Sequence, residues 1–362
     1  MKVDFVDLKS QVAEINCDSI MEKIKAGQFM GAGEFEKAFA EYHGAKFCVG
    51  VGSGTDALWL TLLALGIGPG DEVIVPANTY IATAFAVSHT GATPVFCDVS
   101  MDNYTMETKY IKKVLTDKTR AIIPVHLYGQ PVHVKPLMKF GLPVIEDCAQ
   151  ATGAVVFGKK VGTIGTAGAF SFYPTKNLGG LGQGGAVITD DRDIARSIRE
   201  LGNVGRTEGS WYNYSWTGFN SRLDAVNAEF LRLSLEKLDE WNARRFESAM
   251  HYEDLFSTIK EIVHVPFCDG IVFEPVFHLY EIQLKNKLVR NKLKDYLDKN
   301  DIGTGLHYPI PCHKQIMYKK FNSKCPNAEK LADRLLSLPM HPYLTKEQIE
   351  YVYFTIKRYF DE

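Results

Sequence analysis

Along residues 46–202, short runs of consecutive apolar residues alternate with longer segments whose apolar positions recur every three or four residues. The runs at 46–51, 72–76, 94–98, 121–125 and 143–147 have the length of strands. Ile122-Ile123 and Val144-Ile145 carry no polar alternation, so they are predicted as central parallel strands covered on both faces. The intervening segments predict helices at 56–65, which Gly66 and Pro69 end, and near 79–90, 107–116, 132–139 and 192–202. Gly168–Phe172 and Gly185–Thr189 predict two more short strands, joined by a long loop. Upstream, Phe35, Phe39 and Tyr42 fall at helical spacing within an N-terminal arm. Strands alternating with helices predict an α/β fold with a mainly parallel, mixed sheet covered by helices.

After about residue 225 the pattern changes. Residues 226–260 read as a long charged amphipathic stretch through Phe230, Leu231, Leu235, Leu238 and Trp241, bridging two domains. Beyond it, short strands at Val272-Phe273 and 276–280 mix with helices at 287–299 and 346–360. The expectation is a large domain over 1–235, including the N-terminal arm, and a smaller C-terminal α+β domain over 236–362.

A net charge of −2 gives no reason to expect a nucleic-acid partner. No run of about 18 apolar residues predicts a membrane span. The first residues lack the apolar core of a secretory signal, and seven cysteines without a C-x-x-C pair suggest reduced thiols, hence a cytoplasmic protein. The ten histidines and seven cysteines show no metal-ligand spacing, so no metal is expected.

In an open parallel sheet, ligands bind outside the carboxyl ends of the strands. Three features of this chain fall there. Ser53-Gly54-Thr55 ends one predicted strand and opens a helix, where backbone N–H groups and the helix dipole favour a phosphate. Many such turns only reverse the chain. Asp147, with Gln150 behind it, stands at the end of a buried strand, where a carboxylate is costly unless paired. Its plainer role would be a helix N-cap. Ser171 precedes Lys176 in a loop flanked by aromatic and glycine residues, unlike the solvated helix face that holds most lysines. Tyr80 is placed to stack on a flat ring, although a lone tyrosine there is more often core. A lysine in a dry pocket with an aspartate at a nearby strand end is what pyridoxal 5'-phosphate chemistry needs: the amine holds the cofactor and the carboxylate keeps the pyridine nitrogen protonated. A dehydrogenase reading on Gly180-Leu181-Gly182-Gln183-Gly184-Gly185 fails, because that G-x-G-x-x-G precedes a strand instead of following one.

The order of a phosphate turn, an aromatic, a carboxylate, then a serine and lysine resembles that of fold-type I pyridoxal enzymes. The stretches Gly54–Leu58, Gly68–Val73, His126–Gln130, Glu146–Gln150, Ser171–Lys176 and Gly218–Leu223, then His307–Pro309, His313 and Leu338–His341, resemble the DegT/DnrJ/EryC1/StrS sugar aminotransferases along nearly the whole chain. The resemblance implies that Lys176 and Asp147 are catalytic. It implies that Gln150 lies near the ring hydroxyl, that Tyr80 stacks on the ring, and that Gly54, Thr55 and Ser171 bind phosphate. It makes Asn220 the residue that reaches the phosphate of a neighbouring subunit, which implies a homodimer with shared active sites. His307, Tyr308 and His313 would meet the sugar nucleotide, although packing roles are as plausible for the two histidines. The implied reaction passes an amino group, with L-glutamate as donor, to a nucleotide-linked keto sugar. The His126-Leu127-Tyr128-Gly129 stretch resembles members acting at carbon 3, hence a dTDP-3-keto-6-deoxyhexose giving a dTDP-3-amino-3,6-dideoxyhexose. A carbon-4 or a cyclitol aminotransferase is the alternative. The related sugar dehydratases carry histidine where this chain has Lys176. A regulator with an added DNA-binding module is not expected, because the resemblance starts within the first few residues.

Overall fold

The computed structural model describes residues 1–264 and 272–362. Its centre is a sheet of β1 (Phe47–Val51), β2 (Glu72–Pro76), β3 (Thr93–Cys97), β4 (Thr119–Ile122), β5 (Ile145–Asp147), β6 (Ala167–Ser171) and β7 (Gly185–Thr189). Two bonded groups, β1-β7-β6-β5 and β4-β2-β3, join through parallel bridges from Ile122 to Val144 and from Val125 to Asp147. The spatial order is therefore β1-β7-β6-β5-β4-β2-β3. Only β7 runs against the rest. The α/β expectation holds: Val73, Ile74, Val75, Ile122, Ile123, Val144 and Ile145 are fully buried, as strands covered on both faces must be.

Helix Gly54–Ala64 crosses one face and helix Gly33–His43 packs on the other, where Phe35 and Phe39 meet Phe170 and Phe172 edge-on. The helix expected near 132–139 is confined to Lys135–Met138. Pro136 lacks an N–H and fits only a first turn, so an earlier start would have placed it in the interior. The stretch near 107–116 is helical only over Thr108–Ile111. The long stretch after 225 is two helices, Ala225–Leu235 and Leu238–Phe256. Leu231, Leu235 and Leu238 face the core of Phe35 and Phe39, and Phe230 and Trp241 face that of Ile15 and Ile20, so each helix contributes to both.

A second, antiparallel sheet orders Ile262–His264, Tyr280–Leu284 and Leu335–Leu338, with Tyr280–Leu284 in the middle. Helices Lys287–Lys299 and Lys346–Asp361 pack their apolar faces, including Leu293, Leu297, Val352 and Ile356, into the core beneath it. The strand expected at 276–280 begins only at Tyr280. Phe277 has a left-handed backbone (φ 40°), which an extended run cannot contain. Val276 and Leu279 instead donate to the carbonyls of Gly129 and Tyr128. Part of the Val272-Phe273 strand exists, as Phe273–Glu274 paired with Val155–Val156. Among the described residues no helix is long and apolar enough to cross a membrane. The six described cysteines are free, and Cys268 lies outside the described residues.

Candidate active site

The carboxyl ends of β1, β2, β5 and β6, with the start of β7, surround a cavity of about 430 Å³ closed on its far side by residues from the second sheet's connections. Because β7 is antiparallel, its first residue, not its last, lies at this end. Ser53, Gly54, Thr55, Tyr80, Asp147, Gln150, Ser171, Lys176, His307 and Tyr308 all line it. Of the eleven site positions expected from the sequence, nine converge here, and His313 and Asn220 do not.

Ser53 caps helix Gly54–Ala64, its Oγ accepting from Asp56 N at 3.1 Å. That leaves the first-turn N–H groups at Gly54 and Thr55 directed toward the cavity mouth, a site for an anion. The approach is close. A Cβ on Gly54 would stand 2.6 Å from Ser171 Cβ, and one on Gly185 would stand 2.4 Å from the Ser53 carbonyl. Glycine at both positions lets the helix start touch the ends of β6 and β7.

Asp147 is buried at the end of β5. Its Oδ2 accepts from Thr83 Oγ1 at 2.9 Å and its Oδ1 from Ala149 N at 3.1 Å. The second bond closes a turn, so Asp147 caps no helix. Burial raises its pKa, against the pull of Thr83 and the Ala149 N–H. Among the described residues no basic group is bonded to it, so a cationic ligand nitrogen is the partner that the site lacks. Beside it, Glu146 is tied in four ways: His126 Nε2 at 3.0 Å and the N–H groups of Gly162, Ile164 and Gly165 at 2.7–2.9 Å. Burial would raise the Glu146 pKa, but His126 and these amides together hold it below the usual range. His126, Glu146 and Cys148 lie close enough to share a metal, but the carboxylate is saturated and His126 Nδ1 accepts from Val132 N, so the cluster is structural. It anchors the β5 end from which Asp147 projects.

Lys176 sits on a turn after β6, with its N–H on the Tyr173 carbonyl, and its side chain reaches the cavity. Burial pushes its ammonium down to about 8, and Asp147 opposes the shift. Asn177 follows, buried, with its amide donating to Asn242 Oδ1 and the Val276 carbonyl. Tyr80 is 56% exposed and tilts against Tyr308, with ring centroids 5.7 Å apart, so it is no core residue. Gln150 Oε1 accepts from Tyr128 N at 2.6 Å and its Nε2 donates to Tyr308 Oη at 3.0 Å. His307 Nδ1 bonds Ser337 Oγ at 2.6 Å, and the Tyr128 hydroxyl donates to its carbonyl.

Two expected residues lie elsewhere. His313 is buried outside the cavity, its Nε2 on Glu329 at 3.1 Å, and packs near Phe96. Asn220 is exposed, with Oδ1 accepting from Arg222. The loop before it exposes Trp211, Tyr212 and Tyr214. Sequence reasoning missed Thr83, Gln183 and His278, which also line the cavity. Thr83 lies three positions beyond Tyr80, one helical turn on, which is a usable signal. His278 gave none, since it sits inside what reads as a strand.

The donor set fits pyridoxal phosphate: a helix start and Ser171 hydroxyl for the phosphate, a buried carboxylate with no hydrogen-bonded cation among the described residues for the ring nitrogen, an amine of lowered pKa in the same cavity, and an exposed aromatic for the ring face. The comparisons agree. A family model described as "DegT/DnrJ/EryC1/StrS aminotransferase family" matches residues 10–357. The chain is 42% identical to a UDP-N-acetyl-3-dehydro-alpha-D-glucosamine 3-aminotransferase of Acidithiobacillus ferrooxidans, over 98% of this chain and 97% of that one. It is 41% identical to a dTDP-3-amino-3,6-dideoxy-alpha-D-galactopyranose transaminase of Aneurinibacillus thermoaerophilus, over 93% of each. The crystal structure of S. venezuelae DesV in complex with a ketimine intermediate superposes with a TM-score of 0.94 at 39% identity, covering 100% of this chain and 99% of that one.

Proposed function

Because the chain belongs to the DegT/DnrJ/EryC1/StrS aminotransferase family, a family of pyridoxal phosphate-dependent sugar transaminases, we propose that it is a cytoplasmic 3-aminotransferase of nucleotide-linked keto sugars. The substrate is a dTDP-3-keto-6-deoxyhexose, the product the dTDP-3-amino-3,6-dideoxyhexose, and the amino donor L-glutamate. The observation that carries the reading is Lys176, an amine of lowered pKa in the same cavity as the buried Asp147. Both reported curated relatives are named for an amino group at carbon 3, which supports that position over carbon 4. The UDP sugar in the name of one of them favours a second reading, a UDP-linked 3-keto sugar.

When bound, pyridoxal phosphate supplies an electrophilic carbon and an electron sink. The residues do the rest. Lys176 would hold the cofactor, and as a free amine it would take the proton from the donor's α-carbon and deliver it to the cofactor end of the reacting bond. In the second half it moves a proton the other way, onto the sugar carbon. Asp147, oriented by Thr83 and the Ala149 N–H, keeps a proton on the ring nitrogen. Gly54, Thr55 and Ser171 hold the phosphate, Tyr80 covers a ring face, and Gln150 lies toward the ring hydroxyl. His307 and Tyr308 flank the sugar nucleotide. Asn220 reaches the partner's phosphate in a homodimer with shared sites.

The test follows the yellow cofactor band. Bleaching by glutamate and by a dTDP-3-amino-6-deoxyhexose, with the 3-keto sugar formed, is the expected result. Bleaching only by a dTDP-4-amino sugar overturns the carbon-3 assignment. Bleaching only by a UDP-linked 3-amino sugar moves the nucleotide to uridine. Failure to acquire the band in excess cofactor overturns the whole reading.

A further inference from the structure

His278 lines the cavity and takes no part in the chemistry described above. It is 7% exposed and shares the cavity with Lys176 and Asp147. Its tautomer can be deduced. Asn242 Nδ2 donates to the Thr152 carbonyl at 3.1 Å, which leaves Asn242 Oδ1 as an acceptor. Asn177 Nδ2 donates to that oxygen at 2.8 Å and to the Val276 carbonyl at 2.9 Å. Turning the Asn177 amide over would set its oxygen against two acceptors. Asn177 Oδ1 is therefore fixed as the atom facing His278 Nδ1, at 3.1 Å. An oxygen can only accept, so Nδ1 carries the proton. Nε2 is left with a lone pair, and no described residue hydrogen-bonds to it.

The backbone is held as firmly. Phe277, just before, is in the left-handed region. Arg245 Nη1, fully buried, donates to the carbonyls of Met340 at 3.0 Å, Phe277 at 3.4 Å and His278 at 3.5 Å. An outlier conformation fixed by a buried cation at the cavity wall is the pattern of a site residue. Burial, then the nearby Lys176, hold the His278 pKa well below its usual value, so it stays neutral at physiological pH.

A neutral acceptor selects what it can bind. Apart from the amino nitrogen that goes to the cofactor, glutamate offers two carboxylates, which are acceptors only and gain nothing from a lone pair. A sugar offers hydroxyls, which are donors. We propose that His278 Nε2 accepts a hydrogen bond from a hydroxyl of the sugar substrate, making it a specificity residue for the second half-reaction. This rests on the sugar reading given above.

The two half-reactions separate the outcomes. In His278→Leu, the rate constant for bleaching per unit concentration of dTDP-3-amino sugar falls by about tenfold more than that for glutamate, mainly through weaker sugar binding. In His278→Gln, whose Oε1 can replace Nε2 as acceptor, most of the loss is recovered. Nitrogen-15 NMR of the histidine-labelled wild-type holoenzyme shows His278 protonated at Nδ1 and bare at Nε2, and the Nε2 signal moves when the amino sugar is added. Equal losses with both substrates, or a proton found on Nε2, overturns the proposal, and the NMR arm decides even where a variant fails to fold. A wild-type enzyme that exchanges amino groups with glutamate but with no sugar overturns the sugar reading and its proposed occupant together. A wild type active on sugar, with the His278→Leu sugar rate unmoved, overturns only the role of His278.

Discussion

Lys176 and Asp147 answer to opposite demands, and burial sets both. A solvated lysine keeps its proton to about 10.4 and is a poor nucleophile at neutral pH. In this cavity the ammonium is pushed down to about 8. Folding lowers this pKa, so the free amine that must attack the cofactor is populated from about pH 8 upward. Capture of pyridoxal phosphate by the cofactor-free enzyme is accordingly expected to accelerate up to about pH 8 and then level off. A rate still climbing toward pH 10, followed by stopped-flow absorbance, contradicts the shift. Asp147→Asn keeps the size and the bond from the Ala149 N–H but loses the charge that holds a proton on the ring nitrogen. Its kcat should fall by at least about a hundredfold. A loss under threefold in the saturated enzyme removes Asp147 from the mechanism. These two residues were legible in the sequence because their neighbours are unusual: aromatic and glycine flanks for the lysine, and for the aspartate a buried-strand pattern, Val144-Ile145, that ends in acid. His278 was not legible, because its role depends on Asn177 and Asn242, distant in the chain, and on a backbone turn that no periodicity announces.

At the level of elements, the start of helix Gly54–Ala64 and the central strand of the second sheet each place chemistry by packing. Gly54 touches Ser171 so closely that Gly54→Ala must push the helix start away from β6. Overpacking of this kind costs about 1–3 kcal/mol, and here it also spreads the phosphate cradle. A several-fold weaker hold on the cofactor, with the helical far-ultraviolet signal intact, is expected from equilibrium dialysis; unchanged affinity means the contact gives way cheaply. Glu281, fully buried on strand Tyr280–Leu284, has its pKa raised to about 8 by burial, with Ser337 opposing. Between its ordinary range and about 8 the folded protein holds a proton that the unfolded chain has lost, so this group's contribution to stability declines as pH rises through that window. Glu281→Gln should therefore gain stability relative to wild type between pH 5 and pH 8.5 in urea unfolding. A constant difference across that range contradicts a protonated Glu281. Strand Leu335–Leu338 escaped the pattern reading because it follows helix Pro326–Arg334 without a break, and leucine, a good helix former, reads as its continuation.

For the whole molecule, the exposed aromatics and Asn220 lie on one loop segment, with Trp211 75% exposed. A patch of large apolar side chains of this kind suits a subunit contact. If sites are shared, a dimer pairing a Lys176→Ala chain with an Asn220→Ala chain has one intact site, built from Lys176 of one protomer and Asn220 of the other. Unfolding and refolding the two inactive variants together should restore about a quarter of wild-type activity by random pairing in a symmetric dimer; no recovery argues for self-contained sites. The sequence by itself determined the alternation of strands and helices, the parallel central sheet, and the Lys176, Asp147 and Ser53–Thr55 signals, because each rests on local chemistry: burial pattern, turn residues and flanking side chains. Only the tertiary structure decided the reversal of β7, the split of the long stretch after 225, the withdrawal of His313 onto Glu329, and the entry of Thr83 and His278 into the cavity. These depend on which distant segments pack together, and side-chain hydrogen bonds between residues far apart in the chain leave no period behind.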